Sequence, residues 1–242
     1  MKKKRQVLLI HGFLENQSMW NSFVAGLGKE FEVLAPNLSG CIPSTEPLIS
    51  IREEASSLAQ SVPENCFVIG HSMGGYVALE FAKQFPNKVS GLCLLHSTAA
   101  EDSPTKKQDR LRAIDAARSN KTLYIRTAIA SLFSEESKGK LSAKLEEMIN
   151  DAIQLPVDSI VACIEAMRKR VEHVSFLRQR AFPLYYFLGE KDSRIPIQEM
   201  KNELKELPGS MFQIEQGIGH MGHLECPARC FDFIQRILRA DC

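Results

Sequence analysis

The sequence predicts an α/β protein: a mostly parallel sheet of about six strands with helices on both faces and a helical insertion before the last two strands. Three observations carry that expectation. Short apolar runs alternate with longer stretches whose apolar positions recur at helical spacing. No hairpin signal joins consecutive apolar runs, so each strand returns by a crossover and its neighbours lie parallel. Finally, residues 101–182 contain no convincing strand, although the strand pattern resumes after them.

Residues 6–10 form an apolar run that stops at His11-Gly12-Phe13, which reads as a buried parallel strand meeting a loop. Residues 16–30 carry Trp20, Phe23, Val24 and Leu27 at helical spacing, and residues 31–34 are the second strand. The loop beyond, through Gly40, Pro43 and Pro47, holds too many breakers for regular structure. Residues 49–62 are helical, with Ile51, Ala55, Leu58, Ala59 and Val62 on one face. Residues 66–69 are the third strand, a helix runs from beyond Ser72 to near Pro86, and residues 89–95 are the fourth strand. Within 101–182, residues 106–118, 123–133, 142–153 and 159–170 each set an apolar stripe in a charged background. That segment reads as a cap inserted over the sheet edge, between core segments 1–100 and 183–242. Residues 183–188 and 211–214 are the last two strands, with a helix at 196–207 between them. A loop at 217–223 holds three glycines, and the closing helix at 226–240 is opened by Pro227.

With 242 residues the chain forms one large domain carrying an insertion. Hydrophobic residues at 44%, charged residues at 24% and a net charge of +1 describe a soluble globular protein, with nothing that calls for nucleic acid or an acidic membrane. The basic tip Met1-Lys2-Lys3-Lys4-Arg5 precedes an apolar run too short for an export signal, and no run spans a bilayer, so a cytoplasmic setting is expected. The seven cysteines, Cys41, Cys66, Cys93, Cys163, Cys226, Cys230 and Cys242, contain no C-x-x-C pair and are expected as reduced thiols. Cys226 and Cys230 lack a second ligand pair, which argues against zinc.

Chemistry concentrates at Gly70-His71-Ser72-Met73-Gly74, which fits G-x-S-x-G between a strand and a helix. A serine on so sharp a turn is held in a strained backbone conformation, with its hydroxyl lifted clear and free helix N-terminal N–H groups beside it. Ligand sites in parallel sheets lie at the carboxyl ends of the strands. Ser72, Asp192 and His220 follow the third, fifth and sixth strands, in the chain order Ser, Asp, His. A serine hydroxyl needs a base, for which imidazole titrates in the useful range, and a buried carboxylate would fix the tautomer of that imidazole. The backbone N–H groups of Met73 and Phe13 are the natural pair of oxyanion donors, with Gly12 permitting close approach.

These residues resemble the α/β-hydrolase fold superfamily, in its branch of small capped esterases, lactonases and carbon-carbon hydrolases. The resemblance covers nearly the whole chain. It rests on His11-Gly12-Phe13, Gly70-His71-Ser72-Met73-Gly74-Gly75, Gly189-Glu190-Lys191-Asp192, and Gly219-His220 through Glu225-Cys226-Pro227. It implies a triad of Ser72, Asp192 and His220, no cofactor, no metal and a cap that shapes the pocket for a small-molecule substrate. The implied activity is hydrolysis of a small carboxylic ester, lactone or thioester through an acyl-enzyme. A lyase or carbon-carbon hydrolase would retain the same triad, and a non-catalytic small-molecule binding protein would retain the pocket. One loop departs from the family pattern. Where an aspartate and G-x-G-x-S are usual, this chain has Asn37-Leu38-Ser39-Gly40-Cys41-Ile42-Pro43-Ser44, a loop expected near the pocket.

Competing assignments surround each residue. Glu190 in the same loop and Asp102 after the fourth strand compete with Asp192 for the acid, and His223 competes with His220 for the base. His71 reads as a pocket-side or packing residue, His11 as an organiser of its loop, and His96 and His173 as ordinary polar residues. Arg168 reads as part of a solvated face. Ile125, Ile129, Leu132, Phe133, Ile160, Ile164 and Met167 would serve equally in the core and in a pocket wall.

Overall fold

A computed structural model describes residues 4–43 and 46–240 of the chain. Ser44 and Cys242 lie outside the described residues. Strands β1 (Gln6–Ile10), β2 (Glu32–Leu34), β3 (Cys66–His71), β4 (Val89–Leu95), β5 (Leu184–Gly189) and β6 (Met211–Glu215) form one sheet in the order β2-β1-β3-β4-β5-β6. Every neighbouring pair is parallel. The order reverses at β1, whose neighbours are β2 and β3, and this is where loops leaving the carboxyl ends diverge to leave a crevice.

Alternation along the strands divides the core into two layers. Val7, Leu9, Phe67, Ile69, Tyr185 and Phe187 point to one face, where α1 (Asn21–Leu27) packs with Trp20, Phe23 and Leu27. Leu8, Ile10, Val68, Leu92, Leu94, Tyr186 and Leu188 point to the other, against α2 (Ile51–Leu58) and α3 (Met73–Gln84). The first ten residues of α3 are all buried, so this helix presents no solvent face there.

The region expected to be one helix at 16–30 is split. Asn16 accepts a hydrogen bond from Ser18 N at 2.9 Å and starts a 3₁₀ turn, Gln17–Trp20, from which α1 continues. Between β4 and β5 every regular element is helical: α4 (Pro104–Ser119), α5 (Lys121–Ala130), α6 (Glu135–Lys140), α7 (Ser142–Ile153), α8 (Val157–Lys169) and α9 (Val174–Leu177). Their buried residues, among them Ile114, Ile125, Ile129, Ile160, Cys163 and Met167, merge with the layer that holds α3. Thereafter α10 (Ile197–Glu206) joins β5 to β6, and α11 (Gly222–Glu225) leads into α12 (Pro227–Ala240). The last helix buries Cys230, Phe233, Ile234, Ile237 and Leu238 against the face that holds α1. No helix among the described residues is long and apolar enough to cross a membrane, and the six described cysteines are free and buried.

Candidate active site

Strand β3 runs through His71 straight into α3, with one residue, Ser72, as the corner. Ser72 adopts φ +50° and ψ −116°, a left-sided conformation costly for a residue with a side chain. Three glycines leave the space that makes this corner possible. A Cβ on Gly70 would lie 2.4 Å from the Gly74 carbonyl oxygen, one on Gly74 2.4 Å from that of Ile10, and one on Gly75 2.3 Å from Ser97 Oγ. Two further bonds fix the corner: Ser72 N donates to Leu95 O at 3.0 Å, and Ser97 Oγ donates to Ser72 O at 2.9 Å.

The side chain of Ser72 meets His220, whose Nε2 lies 2.8 Å from Ser72 Oγ. On the opposite ring edge, His220 Nδ1 lies 2.8 Å from Asp192 Oδ2. An ionised carboxylate only accepts, so His220 Nδ1 carries a proton, which leaves Nε2 as the ring nitrogen that faces the serine hydroxyl. Asp192 is buried and fully engaged. Its Oδ1 accepts from Arg194 N at 2.8 Å and Ile195 N at 2.9 Å, while Oδ2 also accepts from His96 Nδ1 at 3.1 Å. Burial alone would raise its pKa, but the neighbouring His220 and the hydrogen bonds from both imidazoles outweigh this and hold it far below the usual carboxylate range.

The competing acids have other partners. Asp102 is paired with Arg110 Nε at 3.0 Å and Arg170 Nη1 at 2.8 Å, and Glu190 accepts from Gly217 N at 3.0 Å. His96 corrects its reading as an ordinary polar residue, because it donates directly to Asp192. It sits at φ +47° at the end of β4, with its N–H donating to Phe187 O at 2.8 Å, and its buried Nε2 has no hydrogen-bond partner.

A second buried carboxylate lies beside this set. Glu15 Oε2 accepts from Gly12 N at 2.8 Å and lies 2.7 Å from His71 Nδ1, while His71 Nε2 lies 3.0 Å from the backbone carbonyl oxygen of His220. Both His71 nitrogens therefore face acceptors, which requires both to carry protons and makes Glu15 and His71 a buried ion pair. The pKa directions agree. Burial opposes both charges, but their mutual attraction wins, raising His71 and lowering Glu15 to about 2. His223, 3.4 Å from Glu15 Oε1, is buried with neither nitrogen hydrogen-bonded, and burial takes its pKa down to about 3.

This arrangement also braces the loop after β1. A Cβ on Gly12 would lie 2.5 Å from Glu15 Oε2, 2.9 Å from His71 Nδ1 and 3.3 Å from Ser72 Cβ, so the backbone leading to Phe13 passes directly against the serine. Met73 is the first residue of α3, where backbone N–H groups precede the helical ladder. His11 joins its own loop to the one after β2: its Nδ1 lies 3.0 Å from Gly12 O, and its Nε2 accepts from Leu38 N at 3.0 Å.

The family model for the alpha/beta hydrolase fold matches residues 6–227. The chain belongs to the α/β-hydrolase fold family. An esterase of Thermogutta terrifontis, solved with malate bound, superposes with a TM-score of 0.89 at 27% identity, over 99% of this chain and 91% of that one. The pimeloyl-[acyl-carrier protein] methyl ester esterase of Neisseria meningitidis serogroup C is 26% identical over 96% of this chain and 94% of its own length. The enol-lactonase of Burkholderia xenovorans shares the fold, with a TM-score of 0.86 at 16% identity over 98% of this chain and 92% of that one.

In this α/β hydrolase Ser72 and His220 open into a cavity of about 340 Å³, walled on the sheet side by Phe13, Leu14 and Tyr76 and on the other by Tyr124, Leu132 and Met167. None of the described residues of the Asn37 loop lines it, although Leu38 N ties that loop to His11, next to the Phe13 and Leu14 wall. Leu38 and Cys41 are instead buried in the core layer, and Gly40 takes φ +70° with its would-be Cβ 3.0 Å from Leu48 N. Ile125, Ile129, Ile160 and Ile164 are likewise core residues, whereas Leu132 and Met167 reach the cavity. Two sets of side chains bring three ligand-type atoms within 4.8 Å of one another, Glu15-His71-His223 and His96-Asp192-His220. In the second set both imidazoles hydrogen-bond the one carboxylate, and in the first Glu15 and His71 bind each other while both nitrogens of His223 stay without a hydrogen-bond partner.

Proposed function

We propose that this protein hydrolyses small carboxylic esters, lactones or thioesters through an acyl-enzyme intermediate. One observation carries the reading: the hydrogen-bonded chain from Asp192 through His220 to Ser72 Oγ, whose open end faces the cavity. His220 Nε2 takes the Ser72 proton as Oγ attacks the carbonyl carbon, and the Met73 and Phe13 N–H groups receive the oxyanion. Collapse of the tetrahedral intermediate breaks the carbonyl-to-leaving-group bond, and His220 returns the proton to the departing alcohol or thiol. A water molecule, deprotonated by the same imidazole, then attacks the acyl-serine and releases the acid and Ser72. Asp192 keeps the tautomer correct throughout and stabilises the transient imidazolium. Helices α4–α9, within residues 101–182, act as the cap that sets the shape of the acyl pocket. The ester-cleaving relatives support this reading.

A fluorophosphonate probe tests it. The protein should be labelled at Ser72, and Ser72→Ala should lose both the label and about 10⁴-fold or more of kcat/KM on 4-nitrophenyl esters. Equal labelling of the two proteins, or no labelling of either, would remove the reading.

A further inference from the structure

The cavity that receives Ser72 carries more positive charge than its own carboxylates neutralise. Lys106 is taken by Glu199 at 2.7 Å, Asp109 by Arg112 at 2.6 Å, and Glu15 by His71. Asp102, the remaining carboxylate of the wall, is shared by two guanidinium groups, Arg110 and Arg170. That trio keeps one excess positive charge. Arg194 adds another: its guanidinium donates to the Ser131 hydroxyl, and no carboxylate pairs with it among the described residues.

Arg194 is placed by the acid loop itself. Its backbone N–H donates to Asp192 Oδ1 at 2.8 Å, so the turn that sends the carboxylate inward to His220 sends the Arg194 side chain to the cavity rim. Desolvation at the wall lowers its pKa, and the like charge of Arg110 adds to that effect. An anion arriving between the two would reverse the repulsion. The same cavity wall carries Ala128, Leu132 and Met167, an apolar surface that suits a short methylene chain.

We propose that Arg194, with Arg110 behind it, is a carboxylate subsite, and that the enzyme acts on esters whose acyl chain ends in a second, free carboxylate. A planar carboxylate matches the guanidinium fork in two parallel hydrogen bonds, which a neutral methyl terminus cannot make. The proposal rests on the ester-hydrolase reading, because the subsite is defined relative to Ser72.

Matched substrates test it: the mono-4-nitrophenyl esters of adipic and suberic acid against 4-nitrophenyl hexanoate and octanoate. The protein should favour the carboxylate-bearing member in kcat/KM by about tenfold or more at low salt, and the preference should shrink as ionic strength rises. Arg194→Gln should lower that ratio by about tenfold and Arg194→Lys by less. Arg110 is left intact because its loss would also strip Asp102 of a partner. A ratio at or below one in the unaltered protein, or one unchanged by Arg194→Gln, overturns the subsite while leaving hydrolysis of the neutral esters standing. Calorimetric titration with adipate in Ser72→Ala supplies a readout free of turnover. Binding that weakens about tenfold when Arg194→Gln is added supports the subsite even if no ester is cleaved, and binding indifferent to Arg194 removes it.

Discussion

Two buried carboxylates, each flanked by two imidazoles, lie side by side beneath the cavity, and they do different things. Asp192 gathers His96 and His220; Glu15 gathers His71 and His223. Their rings touch, with His71 and His220 centroids 5.3 Å apart and His71 and His223 centroids 4.9 Å apart. The difference lies in the second nitrogen of one ring in each set. His220 spends it on Ser72 Oγ at the cavity, whereas His71 spends it on a backbone carbonyl, that of His220 itself. The first set therefore has a lone pair available to a reacting group, and the second is closed. In the proposed mechanism the same residue types give a proton relay or a brace according to what lies beyond the far nitrogen.

The sharpest way to break this comparison is to exchange the two outer histidines. His220→Ala should cost about 10⁴-fold or more in kcat, while His223→Ala should stay within about tenfold of the unaltered protein. Comparable losses in steady-state ester hydrolysis would show that both clusters take part in the chemistry.

Glu15→Gln comes next. It leaves the protonated His71 buried opposite a neutral amide, and breaking a buried pair from one side costs about 3 kcal/mol or more. The thermal midpoint should fall by about 6 °C or more, read by differential scanning calorimetry. The kcat should also drop, by about tenfold, because Glu15 holds Gly12 N and His71 holds the His220 backbone. A variant with unaltered midpoint and rate would remove the bracing role.

The second cluster should also govern acid stability. Burial holds His223 neutral, with a folded pKa of about 3 against an ordinary 6.5. Above pH 6.5 both states carry it uncharged. As pH falls below 6.5 the unfolded chain takes up a proton that the folded protein refuses, and stability declines by about 4 kcal/mol by pH 3. Glu15, lowered to about 2 from 4.5, acts in the same direction but only below pH 4.5. His71, raised above 6.5, acts oppositely: its contribution is complete below 6.5 and is lost as pH rises through its folded pKa. Denaturant melts between pH 3 and 9 should thus show a maximum near neutrality, and His223→Gln should flatten the acid limb. An acid limb unchanged in that variant would assign the loss elsewhere.

The smallest effect is expected at His96. Asn at this position tolerates the positive φ and removes one of four hydrogen bonds to Asp192, so His96→Asn should lower kcat by a few-fold with KM unchanged. A loss as large as that of His220→Ala would make His96 a member of the relay.

Much of this molecule was legible from residue order. The fourth strand begins and ends where the sequence pattern places it, at Val89 and Leu95, because a strand buried on both faces is almost wholly apolar, Ser90 being its one polar and half-buried residue. Helices α6, α9 and α11 were not anticipated, since four to six residues are too few to display a helical period. Ser72, Asp192 and His220, which the structure brings together, each follow a strand end, and the same rule applied to the residue after β4 points to His96. Glu15 carried no such signal beyond lying three residues past Gly12 in the exit loop of β1.

The sequence by itself determined the sheet, the strained serine corner and the loops in which acid and base must lie, because periodicity, glycine spacing and strand-end position are local properties. Only the tertiary structure decided which of six histidines meets which carboxylate, and that Leu38 and Cys41 of the Asn37 loop turn into the core. Those outcomes depend on where a side chain's second nitrogen or a backbone N–H finds its partner. Partners such as Glu15 and His71, 56 positions apart in the chain, become neighbours only when β1 and β3 pair.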